Sequence, residues 1–274
     1  MAPRIRHVIF DFDGTCTQVD KVQAKFLDDY RKALFVDEKE WDKAKATIAK
    51  ASPNAGWNLM NAPSTAPAGA DPYILAGEAA GLIYRARGQE APNVFAKVYD
   101  QNVAPFRPEL HDVIETLLKK KIKVAFISNS DGTKIANRIQ DLFHKTPQRK
   151  DAIQVFGGAA KFLVKELLVD AKVTKDQRTQ FDQLAAADRI GDVARPIYLR
   201  RGAYFEALCA TQFPLAETLV VGDIWELDLA MPAALGAHVH LIQRMEPFPT
   251  YAYELAQLAK GHSSSTLKGL LKRF

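Results

Sequence analysis

The 274 residues, 47% hydrophobic and 25% charged, have the composition of an ordinary globular protein with room for one elaborated domain or a core plus an added module. The formal net charge of +5 suits anionic ligands, but no basic and aromatic stripe or DNA-binding motif accompanies it, so nucleic acid is not an expected partner. Two distant cysteines, Cys16 and Cys209, without a CxxC spacing exclude a disulfide framework and a cysteine zinc site; with no signal-peptide pattern and no apolar run of roughly 18 residues, a cytoplasmic chain without membrane contact is expected.

The first element is the apolar run Val8-Ile9-Phe10, which drives into Asp11-Phe12-Asp13-Gly14-Thr15. This is a buried strand ending on an acidic loop, where an open parallel sheet collects its ligands. Asp11 and Asp13 stand at i and i+2 and can face one site. Carboxylates that close repel unless a cation relieves them, and a hard, oxygen-seeking ion such as Mg²⁺ is the natural remedy. Residues 18–104 then carry only helical spacings. Val22, Phe26, Tyr30 and Leu34 form the first; Trp41, Ala44 and Ile48 form the second. A loose stretch at 52–72 separates these from two further helical patterns around 74–86 and 92–103.

Pro108 suits the first turn of a helix whose buried face is Leu110, Val113, Ile114, Leu117 and Leu118. A second strand, residues 122–127, ends in Ser128-Asn129-Ser130, a hydroxyl and an amide that can donate to phosphate oxygens without adding charge. A helix with Ile135, Ile139 and Leu142 precedes a third strand at 153–156. Residues 160–195 are mixed and charged, and read as a small insertion packed on the core. The segment Arg195-Pro196-Ile197-Tyr198-Leu199-Arg200-Arg201 leads into a helix at 202–211. A fourth strand, 219–223, ends in Gly222-Asp223, with Asp228 five positions on. A fifth strand follows at 238–242, where His238 and His240 read as ordinary strand residues. Closing helices are expected in the tail, the second capped by the serines at 263–265. The sum is an α/β fold: a doubly wound, mainly parallel five-stranded sheet from residues 1–17 and 105–274, with an inserted α-helical domain at 18–104.

The sequence DFDGT after an apolar strand resembles the first motif of the haloacid dehalogenase-like hydrolase superfamily. Ser128-Asn129 resembles the second motif, and Gly222-Asp223 with Asp228 the fourth. The third motif usually places Lys beside Pro; here Arg195-Pro196 stands instead, so its cation is to be sought among Arg195, Arg200, Arg201 and Lys161. The resemblance implies that residues 18–104 form a helical cap over the site. It implies that Asp11 is a nucleophile forming an aspartyl-phosphate, and that Asp13 protonates the leaving oxygen and later activates water. Mg²⁺ would be held by the Asp11 carboxylate, the Asp13 main-chain carbonyl and Asp223, with Asp228 as a ligand or an outer partner. Ser128 and Asn129, with Arg195 or Arg200, would grip the phosphoryl group. Dehalogenases of the superfamily lack an acid two residues beyond the nucleophile, so Asp13 favours phosphoryl chemistry.

The expected function is therefore Mg²⁺-dependent hydrolysis of a small phosphorylated metabolite. The alternatives are a phosphomutase, a phosphonatase using a cap lysine such as Lys25, Lys32, Lys43 or Lys45, or a non-catalytic binding protein of the same fold.

Overall fold

The computed structural model describes residues 4–57, 65–144 and 152–274; residues 58–64 of the loose stretch expected at 52–72 lie outside them. In chain order the elements are β1 (His7–Phe10), α1 (Gln23–Ala33), α2 (Glu38–Ala51), α3 (Pro72–Ala86), α4 (Phe95–Gln101), α5 (Leu110–Lys119), β2 (Lys123–Ile127), α6 (Gly132–Leu142) and β3 (Ile153–Phe156). Then come α7 (Lys175–Asp182), β4 (Ala187–Asp188), β5 (Ile197–Tyr198), α8 (Gly202–Ala210), β6 (Thr218–Gly222), α9 (Ala230–Ala234), β7 (His238–Ile242), α10 (Ala252–Ala256) and β8 (Ser263–Ser264). No described helix is long and apolar enough to cross a membrane.

The main sheet is parallel throughout, in the order β3-β2-β1-β6-β7-β8. Its central strands are continuous apolar runs because helices cover both faces. Alternation divides them: Val8, Phe10, Val124 and Phe126 pack with Leu110, Ile114, Leu117 and Ile135, while Ile9, Ala125, Ile127 and Val220 face Phe181, Tyr204, Phe205 and Met231. Strand order reverses at β1, with β2 on one side and β6 on the other. That reversal opens a crevice beyond the carboxyl ends of β1 and β6, where Asp11 and Asp223 begin their loops.

The sheet has six strands where five were expected. The sixth, β8, is two serines long and pairs with Leu241 and Ile242. It carries no apolar run, which is why Ser263 and Ser264 read as helix caps; only a 3₁₀ helix, Leu267–Arg273, follows them.

Between β1 and α5 the described chain is helical, with a core of its own built on Phe26, Tyr30, Leu34, Trp41, Ala76, Ala80, Ile83 and Val98. Asp37 caps α2 by accepting from the Lys39 and Glu40 amides, and Asp71 caps α3 with Pro72 in its first turn. A smaller cluster of Ala66, Ala70 and Ile74 with Ile224 and Leu227 ties these helices to the loop after β6.

His240 serves the sheet, as its strand context suggested. It is fully buried, its Nε2 lies 2.7 Å from Ser264 Oγ, and burial first, then the charges of Arg273 and His262, push its pKa down from 6.5 to about 4. The unfolded chain therefore takes the proton first. This contribution to stability is complete above pH 6.5 and is lost as pH falls toward 4. The expected loss from this group between pH 7.5 and 5 is about 2 kcal/mol. Urea unfolding at the two pH values should show that increment in the parent chain and not in His240→Gln.

Candidate active site

Three carboxylates converge at the crevice: single oxygens of Asp11, Asp223 and Asp228, all buried, lie within 4.8 Å of one another. Asp11 is delivered by β1 and Asp223 by β6. Asp228 is turned back toward them by a π-helical segment, Trp225–Leu229, and its Oδ2 accepts from the Ile224 amide at 3.1 Å. Two glycines make this approach possible. A Cβ on Gly14, whose φ is +80°, would fall 2.5 Å from Asp223 Oδ2, and one on Gly222 would fall 2.3 Å from the Asp228 Cβ. Thr15 Oγ1 donates to Asp223 Oδ1 at 3.0 Å, which fixes that carboxylate.

The cation of the cluster is Lys161. Its side chain is 1% exposed and its Nζ lies 2.5 Å from Asp11 Oδ1 and 2.6 Å from Asp228 Oδ1. Burial works to lower its pKa, but the two carboxylates outweigh burial and hold the ammonium above its ordinary value. Burial likewise pushes Asp11 up to about 7 against the pull of Lys161, and raises Asp223 well above the usual carboxylate range, with Asp228 and Asp11 adding to it. A loop positions Lys161 tightly: its amide donates to Asn129 Oδ1 at 2.7 Å, and Arg201 donates to its carbonyl at 3.2 Å.

The arginines expected to grip a phosphoryl group are engaged elsewhere. Arg195 holds buried Glu226 with two nitrogens, both at 2.7 Å, and donates from Nε to the Pro53 carbonyl. Arg200 donates to the carbonyls of Leu184 and Asp182 and reaches Glu166. Neither donates to Asp11. Residue 161, at the start of the segment 160–195 expected to pack on the core, is carried by the glycine loop after β3 to Asp11 and Asp228. Three of the four cap lysines weighed as Schiff-base candidates form local ion pairs, Lys25 with Asp29, Lys32 with Asp28 and Lys45 with Asp42.

The Asp13 carboxylate stands outside the three-carboxylate cluster. Its oxygens accept from Tyr99 Oη at 2.8 and 2.9 Å, and Oδ2 also from Ser130 Oγ at 2.5 Å. Burial raises its pKa, with these two donors opposing the shift. Tyr99 lies on α4, so an insertion helix touches the loop after β1. Periodicity had no means to single it out from the core-facing aromatics beside it. Ser128 is buried with its hydroxyl accepting from the Ser130 amide at 3.1 Å. Asn129 uses Oδ1 on Lys161, which leaves its amide NH₂ as a donor. The main chain of the first loop is braced by Arg107, which donates to the Thr15 and Gly14 carbonyls at 2.9 and 2.8 Å. The loop after β6 is braced by Arg244, paired with buried Glu254 at 2.6 Å and donating to the Asp223 carbonyl.

The donor set fits a hard divalent cation. It is all oxygen and carries more negative charge than Lys161 neutralises, and Asp11 and Asp223 each keep one carboxylate oxygen without a protein donor among the described residues. Asp228 has both oxygens engaged.

Fold and site together define a Rossmann-like α/β enzyme core with its carboxylates at the switch point of the sheet. The chain belongs to the haloacid dehalogenase-like hydrolase family, which its sequence matches over residues 5–236. Among solved structures it is similar to the putative hydrolase YfnB from Bacillus subtilis, described as bound to magnesium, at 13% identity, 98% coverage of both chains and a TM-score of 0.52. It is also similar to a predicted phosphoglycolate phosphatase from Haemophilus somnus, at 14% identity, 98% and 97% coverage and a TM-score of 0.53. An L-2-haloacid dehalogenase from Xanthobacter autotrophicus aligns at 16% identity, 98% and 97% coverage and a TM-score of 0.46. No curated protein sequence matches the chain.

Proposed function

We propose that this hydrolase is a Mg²⁺-dependent phosphate-monoester hydrolase acting through an aspartyl-phosphate on a small phosphorylated metabolite. The observation that carries the reading is Asp13: a second acid two residues beyond the strand-end aspartate, half-buried and held by two hydroxyl donors. Attack on carbon has no use for an acid there, whereas expulsion of an alcohol from phosphorus requires a proton donor at the leaving oxygen.

Asp11 attacks phosphorus, and the bond to the ester oxygen breaks as Asp13 delivers its proton to the departing alkoxide. Asp13, now ionised, takes a proton from water as that water attacks the aspartyl-phosphate, freeing phosphate and regenerating both acids. The Ser128 hydroxyl, the Asn129 amide and the Lys161 ammonium hold the phosphoryl oxygens; Lys161 also keeps Asp11 apart from Asp228. Asp11, Asp223 and the Asp13 main-chain carbonyl would hold Mg²⁺, with Asp228 orienting Lys161 and the loop after β6. The ion would offset charge on the transferring group and on the acids around it. The helices from 18 to 104 form the cap that keeps bulk water from the site.

The test is a panel of phosphate monoesters assayed for released phosphate with and without Mg²⁺. Release that requires the ion and saturates with at least one ester is expected; a chain that hydrolyses a 2-haloacid and no ester would sink the reading.

A further inference from the structure

Tyr73 lies in the first turn of α3, its ring edge-on to that of Tyr99 with centroids 5.4 Å apart. Tyr99 spends its hydroxyl on Asp13, but the Tyr73 hydroxyl is buried and has no hydrogen-bond partner among the described residues. A hydroxyl left unpaired out of water is unfavourable, so its counterpart is to be sought in something that enters the site. The side chain lines a cavity of about 220 Å³ between cap and core, together with Asp13, Asp71, Gln243 and Arg244. A leaving oxygen must come within reach of the Asp13 carboxyl, so the alcohol it belongs to extends into this space.

The lining also states what kind of alcohol fits. The volume falls below the roughly 300–1,000 Å³ of sites for drug-sized molecules. Asp13, Asp20, Asp71 and Asp223 border it against Arg107 and Arg244, and this excess of acids disfavours a second anionic group on the ligand. Arg244 has its terminal nitrogens on Glu254 and the Asp223 carbonyl, leaving only a buried Nε without a partner. Asp71 uses Oδ1 on the Ile74 amide, and Gln243 uses Nε2 on Ser263. The groups left over are donors on Tyr73, Arg107 Nη1 and Arg244 and acceptors on Asp71 and Gln243. A hydroxyl both donates and accepts, so neutral hydroxyls satisfy this set where a carboxylate or an alkyl chain would not.

We propose that Tyr73 is a specificity-determining residue whose hydroxyl donates to a hydroxyl of the leaving alcohol, and that the substrate is the phosphate ester of a small polyhydroxylated alcohol, a proposal that rests on the phosphatase reading above.

The test compares the parent chain with Tyr73→Phe on glycerol, pentose and hexose phosphates and on phenyl phosphate, which has no hydroxyl on its leaving group. The ratio of kcat/KM for the best polyol ester to that for phenyl phosphate is expected to fall about tenfold in the variant, carried mainly by KM. A fall shared equally by both esters, or an unchanged ratio, overturns the proposal, because a packing defect at the Tyr99 ring would act on every ester alike. A parent chain that hydrolyses phenyl phosphate but no polyol ester overturns it too, while leaving the phosphatase reading in place. If no ester at all releases phosphate, the reading falls first and this proposal with it.

Discussion

Asp11→Asn is expected to lower phosphate release by about 10⁴-fold or more while leaving the chain folded. The amide matches the carboxylate in shape, and Lys161 keeps Asp228 as its partner at 2.6 Å. What is lost is the carboxylate proposed to bond to phosphorus. Stability should move the other way. Folding raises Asp11 from 3.8 to about 7, so the folded chain holds a proton that the unfolded chain has released, and stability falls as pH rises between those values. Asparagine has no such titration. The variant should therefore match or exceed the parent in thermal midpoint at pH 7, the pattern expected where an active site holds crowded charge. Turnover, calorimetry and trapping of the acyl phosphate with hydroxylamine would be measured together. Turnover within tenfold of the parent would remove Asp11 from the nucleophile's place.

The parts of the structure that were legible in the sequence are those where one physical signal dominates. Strands β1, β2, β3, β6 and β7 are buried by helices or neighbouring strands and read as short apolar runs with loop residues at their ends. Asp11, Asp13, Ser128, Asn129 and Asp223 were legible for the same reason: each sits immediately after such a run, and the carboxyl ends of parallel strands share one edge. The buried cation beside Asp11 was harder to read. Lys161 stands five positions past the end of β3, beyond the loop Gly157-Gly158, and its burial is sustained by Asp11 and Asp228, which lie 150 and 67 positions away. Arg195 and Arg200, beside a proline and a helix start, were the more conspicuous cations. Their guanidinium groups satisfy Glu226 and helix-end carbonyls, a role that no local pattern distinguishes from phosphate binding. Tyr99 and Tyr73 belong to helices whose aromatics also fill the cap core through Phe26, Tyr30 and Phe95. Periodicity assigns them a buried face, and only the placement of the helices over the sheet turns two of those rings toward Asp13.

Lys161→Met tests the other half of the site, because here stability and turnover should fall together. Methionine fills much the same volume but leaves Asp11 and Asp228 buried with no counter-charge. Removing one partner of a buried ion pair costs roughly 3–5 kcal/mol, well above the worth of an exposed pair. The surrounding contacts are main-chain ones, Lys161 N to Asn129 and Arg201 to the Lys161 carbonyl, so the loop itself should persist. Turnover should drop by about 10²–10³-fold, the effect of removing one preorganised donor to the developing phosphoryl charge. Lys161→Arg is not expected to restore it, since a guanidinium fork cannot occupy the space of one ammonium that meets two carboxylates at 2.5 and 2.6 Å. Mg²⁺ supplies the discriminating measurement. A ligand that binds only the folded chain raises its stability by mass action, and in the variant the same ion also relieves the repulsion that Lys161 had masked. Titration with Mg²⁺ should therefore raise the thermal midpoint of Lys161→Met by more than that of the parent. Equal shifts in the two proteins would mean that the lysine and the ion do not act on one set of carboxylates.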